Sequence, residues 1–369
     1  MNKTTKVILG LIALFLVVWG VSSGAKNNKS STTNIAAIIP LTGPAAFFGS
    51  EFKNGFDLAN KEYHLNVNVE DSKSSPADGV SALQKIITTS NPDIVISILS
   101  SVGAAITPPA TEKKIIVFQS LTSANNIAAQ SPYTFRYFTS GAQEAPIMSR
   151  LASGKLGVKT ASLIYQNDEY GLAYADAFKK DFESVGGKIV SMDGFARSES
   201  DFRGILLKLK SSKPDMIYVI ALDQSLATIL KQTRESGITS KIATNWVLAN
   251  PQVISLAGSA ADGVYVTSPS YYDENSSPEV KLFNESYKKE YNKVPSAYAA
   301  IGYDLVHLLS LVRKDNKDVD RTKLINDLTN IGQVRGIMGD LKIDGEGEIT
   351  FALRPAVIYA GKLKFLNDK

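Results

Sequence analysis

From Asn34 onward, short apolar runs rich in β-branched residues alternate with longer stretches whose apolar positions recur at helical spacing. The short runs at 35–40, 65–70, 93–99, 115–118, 161–165, 188–192, 216–221, 241–244 and 263–267 predict strands. Most are continuous rather than alternating, the pattern of strands covered on both faces. Amphipathic segments at 51–63, 77–89, 170–185, 201–210 and 224–236 predict the intervening helices, several closed by glycine, as at Gly186-Gly187 and Gly237. Strand and helix in regular succession make βαβ units and therefore parallel sheets. The series runs twice, separated by an irregular stretch from 121 to 141, so the expected fold is α/β with two doubly wound parallel-sheet lobes. Residues 278–330 read as helical, with an apolar stripe through Ala299, Tyr303, Val306 and Leu309. The C-terminus returns to short strands broken at Gly336, Gly339, Asp344-Gly345 and Gly347.

The N-terminus follows a different rule. Lys3 and Lys6 form a basic head, an apolar run follows over 7–21, and Ser22, Ser23, Gly24 and Ala25 are small. This is the order of a secretory signal, and residues 1–25 are expected to be a signal peptide or an uncleaved N-terminal anchor, with 26–32 as a polar tether. Either places the remainder outside the cytoplasmic membrane. The chain has no cysteine, which excludes a disulfide framework and a lipid-bearing cysteine. Forty Lys and Arg stand against 36 Asp and Glu, a balance that gives no sign of nucleic-acid binding.

Open parallel sheets hold ligands beyond the carboxyl ends of their strands, where the strand order reverses. Two such ends here carry hydroxyls: Ser100 and Ser101 after the strand at 93–99, and Leu121, Thr122 and Ser123 after the strand at 115–118. Hydroxyls beside the free N–H groups of a helix start favour a carboxylate. The competing reading is that they cap the helices they precede.

The segment Ile39-Pro40-Leu41-Thr42-Gly43-Pro44-Ala45 with Gly49 and Asn54-Gly55, then 166–171 and 295–300, resembles the leucine/isoleucine/valine-binding protein family. These are type I periplasmic binding proteins of branched-chain amino-acid ABC transporters. The resemblance implies two lobes joined by three hinge crossings, one of residues 33–139 with 270–335 and the other of 140–269 with 336–369. It further implies that Phe48 is the aromatic of the first loop, Ser100 or Ser101 the carboxylate-binding serine, Leu121 and Ser123 the second anion loop, Tyr170 the cover from the second lobe, and Tyr298 a wall. Trp246 falls where amino-acid binders place the acid that holds the ligand ammonium. Asp223 is the neighbouring acid able to replace it, or else the N-cap of the helix at 224–236.

His64 and His307 are far apart, and no nucleophile elbow, phosphate loop or zinc motif is present. The segment 344–348 reads as a glycine turn rather than a calcium loop. Charges around Lys317 alternate in sign and read as a solvated surface. The expectation is a non-catalytic solute-binding protein of an ABC importer, without a cofactor, monomeric, with a membrane permease as partner and a small carboxylate-bearing ligand, foremost a branched-chain amino acid. The alternative is a sensing receptor for amides, aromatic acids or peptides.

Overall fold

Strand β1, Ile35–Ile39, consists of five consecutive buried residues, which requires cover on both faces. In the computed structural model, which describes residues 33–123, 127–273, 276–315 and 320–366, helices supply that cover. The signal or anchor at 1–25, the tether at 26–32 and Lys317 lie outside the described residues. Among the described residues no helix is long and apolar enough to cross a membrane.

The first series continues with β2 (Val67–Asp71), β3 (Ile94–Ile98), β4 (Ile116–Ser120) and β5 (Thr134–Tyr137). The second runs through β6 (Thr160–Gln166), β7 (Lys188–Phe195), β8 (Met216–Ile220), β9 (Lys241–Thr244) and β10 (Tyr265–Pro269). Three short strands, β11 (Gln333–Gly336), β12 (Gly339–Ile343) and β13 (Glu348–Thr350), then precede β14 (Leu353–Tyr359) and β15 (Lys362–Phe365). They assemble into two sheets, ordered β11-β12-β13-β5-β4-β3-β1-β2 and β15-β14-β10-β9-β8-β6-β7. Each has a parallel centre and an antiparallel edge. The order reverses between β3 and β1 in one sheet and between β8 and β6 in the other.

Two readings of the sequence need correction. The stretch from 121 to 141 contains β5, whose Arg136 disguises a strand; its guanidinium is buried against Glu348 at 2.6 Å. The tail does not leave the first lobe at Gly336. Gly336 and Gly339 bound a hairpin turn, and β12 and β13 pair into the first sheet, β13 lying parallel to β5. The reason is burial: Val334, Leu341, Ile343 and Ile349 join the same core as Leu324 and Leu328. The chain passes to the second sheet only beyond Phe351, at β14. The segment 344–348 is a turn, in which the backbone N–H groups of Glu346 and Glu348 each donate to Asp344 Oδ1 at 2.9 Å.

The helices Pro278–Tyr291, Ala297–Asp315 and Arg321–Asn330 cover the first sheet, where Tyr298, Ile301, Leu305 and Leu309 enter its core. His307 stacks on Tyr63 at 5.6 Å, a packing role.

Candidate functional site

Both lobes open on the same device. After β1 the chain turns into the helix Ala46–Tyr63, and Gly49 packs so tightly on the strand end that a Cβ would lie 2.0 Å from the Pro40 carbonyl oxygen. After β6 it turns into the helix Glu169–Ser184, where a Cβ on Gly171 would lie 1.8 Å from that of Gln166. The residue before each glycine is aromatic, Phe48 and Tyr170, and the close packing aims both rings into the space between the sheets. Elsewhere in the opening loop, Asp71 Oδ1 accepts from Leu41 N at 2.9 Å and Asp71 Oδ2 accepts from the Thr42 hydroxyl at 2.7 Å.

The hydroxyl loops of the first lobe converge. Leu99 (φ 76) and Leu121 (φ 50) both take left-handed conformations that branched side chains resist, a strain typical of functional loops. Ser123 N donates to Ser100 Oγ at 3.1 Å, joining the two loops. Ser100 therefore ties the frame together. The hydroxyls of Ser101 and Ser123 have no partner among the described residues. The helix Ser100–Glu112 has Leu99 at its N-cap with no side-chain cap, so neither serine serves as one. Thr122 turns away: its hydroxyl donates to the Ser120 carbonyl at 3.1 Å, a consequence of the reversed backbone at Leu121.

The second lobe answers with rings. Trp246, at the end of β9, is 1 % exposed; its indole N–H donates to Thr139 Oγ1 at 2.7 Å, and its ring lies 5.4 Å from Phe138 and 5.6 Å from Tyr298. Tyr170 accepts a hydrogen bond from Asn245 Nδ2 at 2.7 Å. Behind them sits Glu144, fully buried, accepting from the Tyr174 hydroxyl at 2.5 Å, from Trp246 N at 3.2 Å and from the Thr267 hydroxyl. Burial raises its carboxyl above the usual range, against the pull of these donors. Desolvation likewise lifts the Tyr170, Tyr174 and Tyr298 hydroxyls well above 10, so all three remain donors.

Together these groups enclose a cavity of ≈ 80 Å³. Phe48, Ser100, Ser101, Leu121, Ser123, Tyr170, Trp246 and Tyr298 line it; Thr122 and Asp223 do not. Asp223 instead lines a second, adjoining cavity of ≈ 690 Å³, and it is the first residue of the helix Asp223–Glu235 rather than its cap, a position held by Leu222. Burial pushes its carboxyl up to about 6.

Sequence reasoning missed Arg197, which lines both cavities from the loop after β7. It missed it because that strand continues to Phe195, beyond the apolar run ending at Met192, so the loop begins later than the run suggests. Leu99 and Phe138 were also missed; each adjoins a residue the strand-end argument did select or a crossing between the sheets. Among the described residues no group of three or more His, Cys, Asp or Glu could hold a metal ion.

Comparison with known proteins agrees with this architecture. The family model described as periplasmic binding protein matches residues 32–357. The leucine-specific-binding protein of Salmonella typhimurium is 24% identical over 362 residues, 94% of each chain. A leucine-binding protein from Thermotoga maritima superposes with a TM-score of 0.82 at 24% identity, over 90% of this chain and 97% of that one. A solute-binding protein of an ABC transporter from R. palustris, solved in complex with benzoate, gives 0.81 at 21% identity, over 91% and 96%. With the match running through both sheets, the chain belongs to the periplasmic binding protein family, whose members bind solutes and are not enzymes.

Proposed function

We propose that this protein is the extracytoplasmic solute-binding component of an ABC importer, closing its two lobes over a small carboxylate-bearing solute of the amino-acid class and presenting it to a membrane permease. The observation that carries this is the pairing of the two unpartnered hydroxyls, Ser101 and Ser123, on one wall of the inner cavity with Tyr170 and Trp246 on the other. The hydroxyls and the exposed Arg197 suit a carboxylate, and the rings suit an apolar body. Contacts to both lobes are what couple occupancy to closure, because a ligand binding open and closed forms equally shifts nothing. The lobes would hinge near 139–140, 269–270 and 351–352, where the chain crosses between the sheets. The leucine-named relatives support an aliphatic amino acid as cargo.

A second reading, an aromatic carboxylate, is favoured by the rings of Phe48, Phe138, Tyr170, Trp246 and Tyr298 around the cavity and by the benzoate complex of the R. palustris protein. Isothermal titration with leucine, isoleucine, phenylalanine and benzoate separates the two. Binding of none of these, nor of any derivative carrying a free carboxylate, discards the carboxylate reading.

A further inference from the structure

The inner cavity shares Phe48, Arg197 and Leu222 with the outer one of ≈ 690 Å³. That outer chamber holds two polar groups that the fold leaves unanswered. Asp223 Oδ1 is buried without a hydrogen-bond partner, and its carboxyl receives only its own backbone N–H. Asn250, 1 % exposed, uses its Oδ1 to accept from Gln252 N at 3.0 Å and leaves its Nδ2 buried and unpartnered. Arg197, the only cation lining either chamber among the described residues, does not hydrogen-bond Asp223 Oδ1. An orphaned carboxylate and an orphaned amide each cost free energy that the apo protein does not recover. Their place in the fold is also specific: Asp223 follows β8, beside the strand-order reversal of the second sheet, the counterpart of Ser100 and Ser101 after β3 in the first.

We propose that Asp223 and Asn250 form a second ligand subsite, recognising the N-terminal end of a dipeptide whose C-terminal residue occupies the inner cavity. A peptide N-terminus carries an ammonium next to a carbonyl. The ammonium answers the Asp223 carboxylate, and the carbonyl accepts from Asn250 Nδ2. The carboxylate at the far end then meets Ser101 and Ser123, and the nitrogen of the C-terminal residue is a neutral amide. A free α-amino acid bears both charges on one carbon; Asp168 and Glu169, which also line the inner cavity, could answer its ammonium there, but it leaves Asp223 and Asn250 unanswered. This inference rests on the proposed binding of a carboxylate in the inner cavity.

The test is isothermal titration of the protein with leucine, Ala-Leu, N-acetyl-leucine and Ala-leucinamide, and the same four compounds built on phenylalanine. Ala-Leu or Ala-Phe is expected to bind at least tenfold more tightly than the free amino acid and than the N-acetyl compound, and the amides weakly. Asp223→Asn is expected to weaken the dipeptide at least tenfold while leaving N-acetyl-leucine or N-acetyl-phenylalanine within twofold, which also shows that the variant is folded. Free amino acid binding as tightly as the dipeptide overturns the second subsite and leaves the importer reading standing. So does an Asp223→Asn loss shared equally by dipeptide and N-acetyl compound. Failure of every compound with a free carboxylate overturns both.

Discussion

The two lobes share a plan and differ in what they hang on it. Each starts with a strand, a tight turn and a helix whose first turn is pinned by glycine, and each aims an aromatic ring, Phe48 or Tyr170, at the cleft. Each then supplies a loop beside its strand-order reversal and another one strand further out. In the first lobe those loops are Leu99–Ser101 and Leu121–Ser123, which carry small hydroxyls on strained backbone. In the second they carry Leu222-Asp223 and Asn245-Trp246, an acid and a large ring. The same architecture therefore gives the first-lobe loops small hydroxyls and the second-lobe loops an acid and a large ring. A ligand gripped by such unlike walls must be unlike at its two faces.

The comparison breaks most visibly at Trp246, which has no counterpart across the cleft. Trp246→Ala should cost about 3–5 kcal/mol in urea-unfolding free energy and remove ligand binding, since a fully buried ring contacting Phe138 and Tyr298 is lost. An effect below about 1 kcal/mol would mean that the ring is not part of the packed interface.

The shared plan is sharpened by Gly49→Ala and Gly171→Ala. Each added methyl would meet a backbone carbonyl, and each should destabilise by about 1–3 kcal/mol, read as a lowered melting temperature. Unequal losses would show that one lobe tolerates a shift of its opening loop that the other does not.

Two buried acids supply the next contrast. Asp304, inside the first lobe, accepts from the Tyr137 hydroxyl at 2.8 Å, from Ile337 N at 2.6 Å and from Met338 N at 2.9 Å; Asp223, in the cleft, lacks such donors. Burial raises both carboxyls from 3.8 to about 6. A carboxyl raised on folding binds its proton more tightly in the native state. Its stabilising contribution is thus full below about pH 4 and lost as pH rises through about 6. Asp223→Asn should remove its share of this pH dependence and stabilise the apo protein by about 1–3 kcal/mol at pH 7, measured as urea midpoints between pH 4 and 7. Asp304→Asn should instead destabilise at pH 7, because one of its two acceptor oxygens becomes an NH2 that faces a buried donor. Equal and same-signed effects would remove the distinction between a structural acid and a ligand-facing one.

The smallest effect belongs to the hydroxyl wall. Ser123→Ala should weaken carboxylate ligands by about 1 kcal/mol in calorimetric titration with little change in melting temperature, whereas Lys188→Ala, on an exposed strand start, should change neither.

Much of this was legible in the chain because strand ends are. The apolar run at β3 stops just before Ser100, and the run at β4 ends at Phe118, two residues before the loop that carries Leu121 and Ser123, so these two hydroxyl loops follow from the strand ends. What escaped were cases where burial and polarity part company. β5 hides behind Arg136, which is charged yet buried beside Glu348, and β7 runs to Phe195 through a mixed pattern, which displaced the loop carrying Arg197. Gly336 read as a boundary, though a glycine marks a reversal of direction and not a change of lobe; the partners of β12 and β13 are non-local in sequence. Thr122 failed for a reason of one torsion, the left-handed turn at Leu121 that sends its hydroxyl back to Ser120.

The Glu144 cluster lies close to where the chain passes between sheets, tying Thr267 and Trp246 to the helix that follows the first crossing. A rigid rotation displaces each atom in proportion to its distance from the pivot. Trp246 and Tyr174, tied to Glu144 near that pivot, would move little in such a rotation, and the rim side chains Phe47 and Leu256, 40% and 42% exposed where they line the outer chamber, would move more. If the lobes close as proposed, the spacing of those two apolar tips would register the closure on the outer face of the molecule.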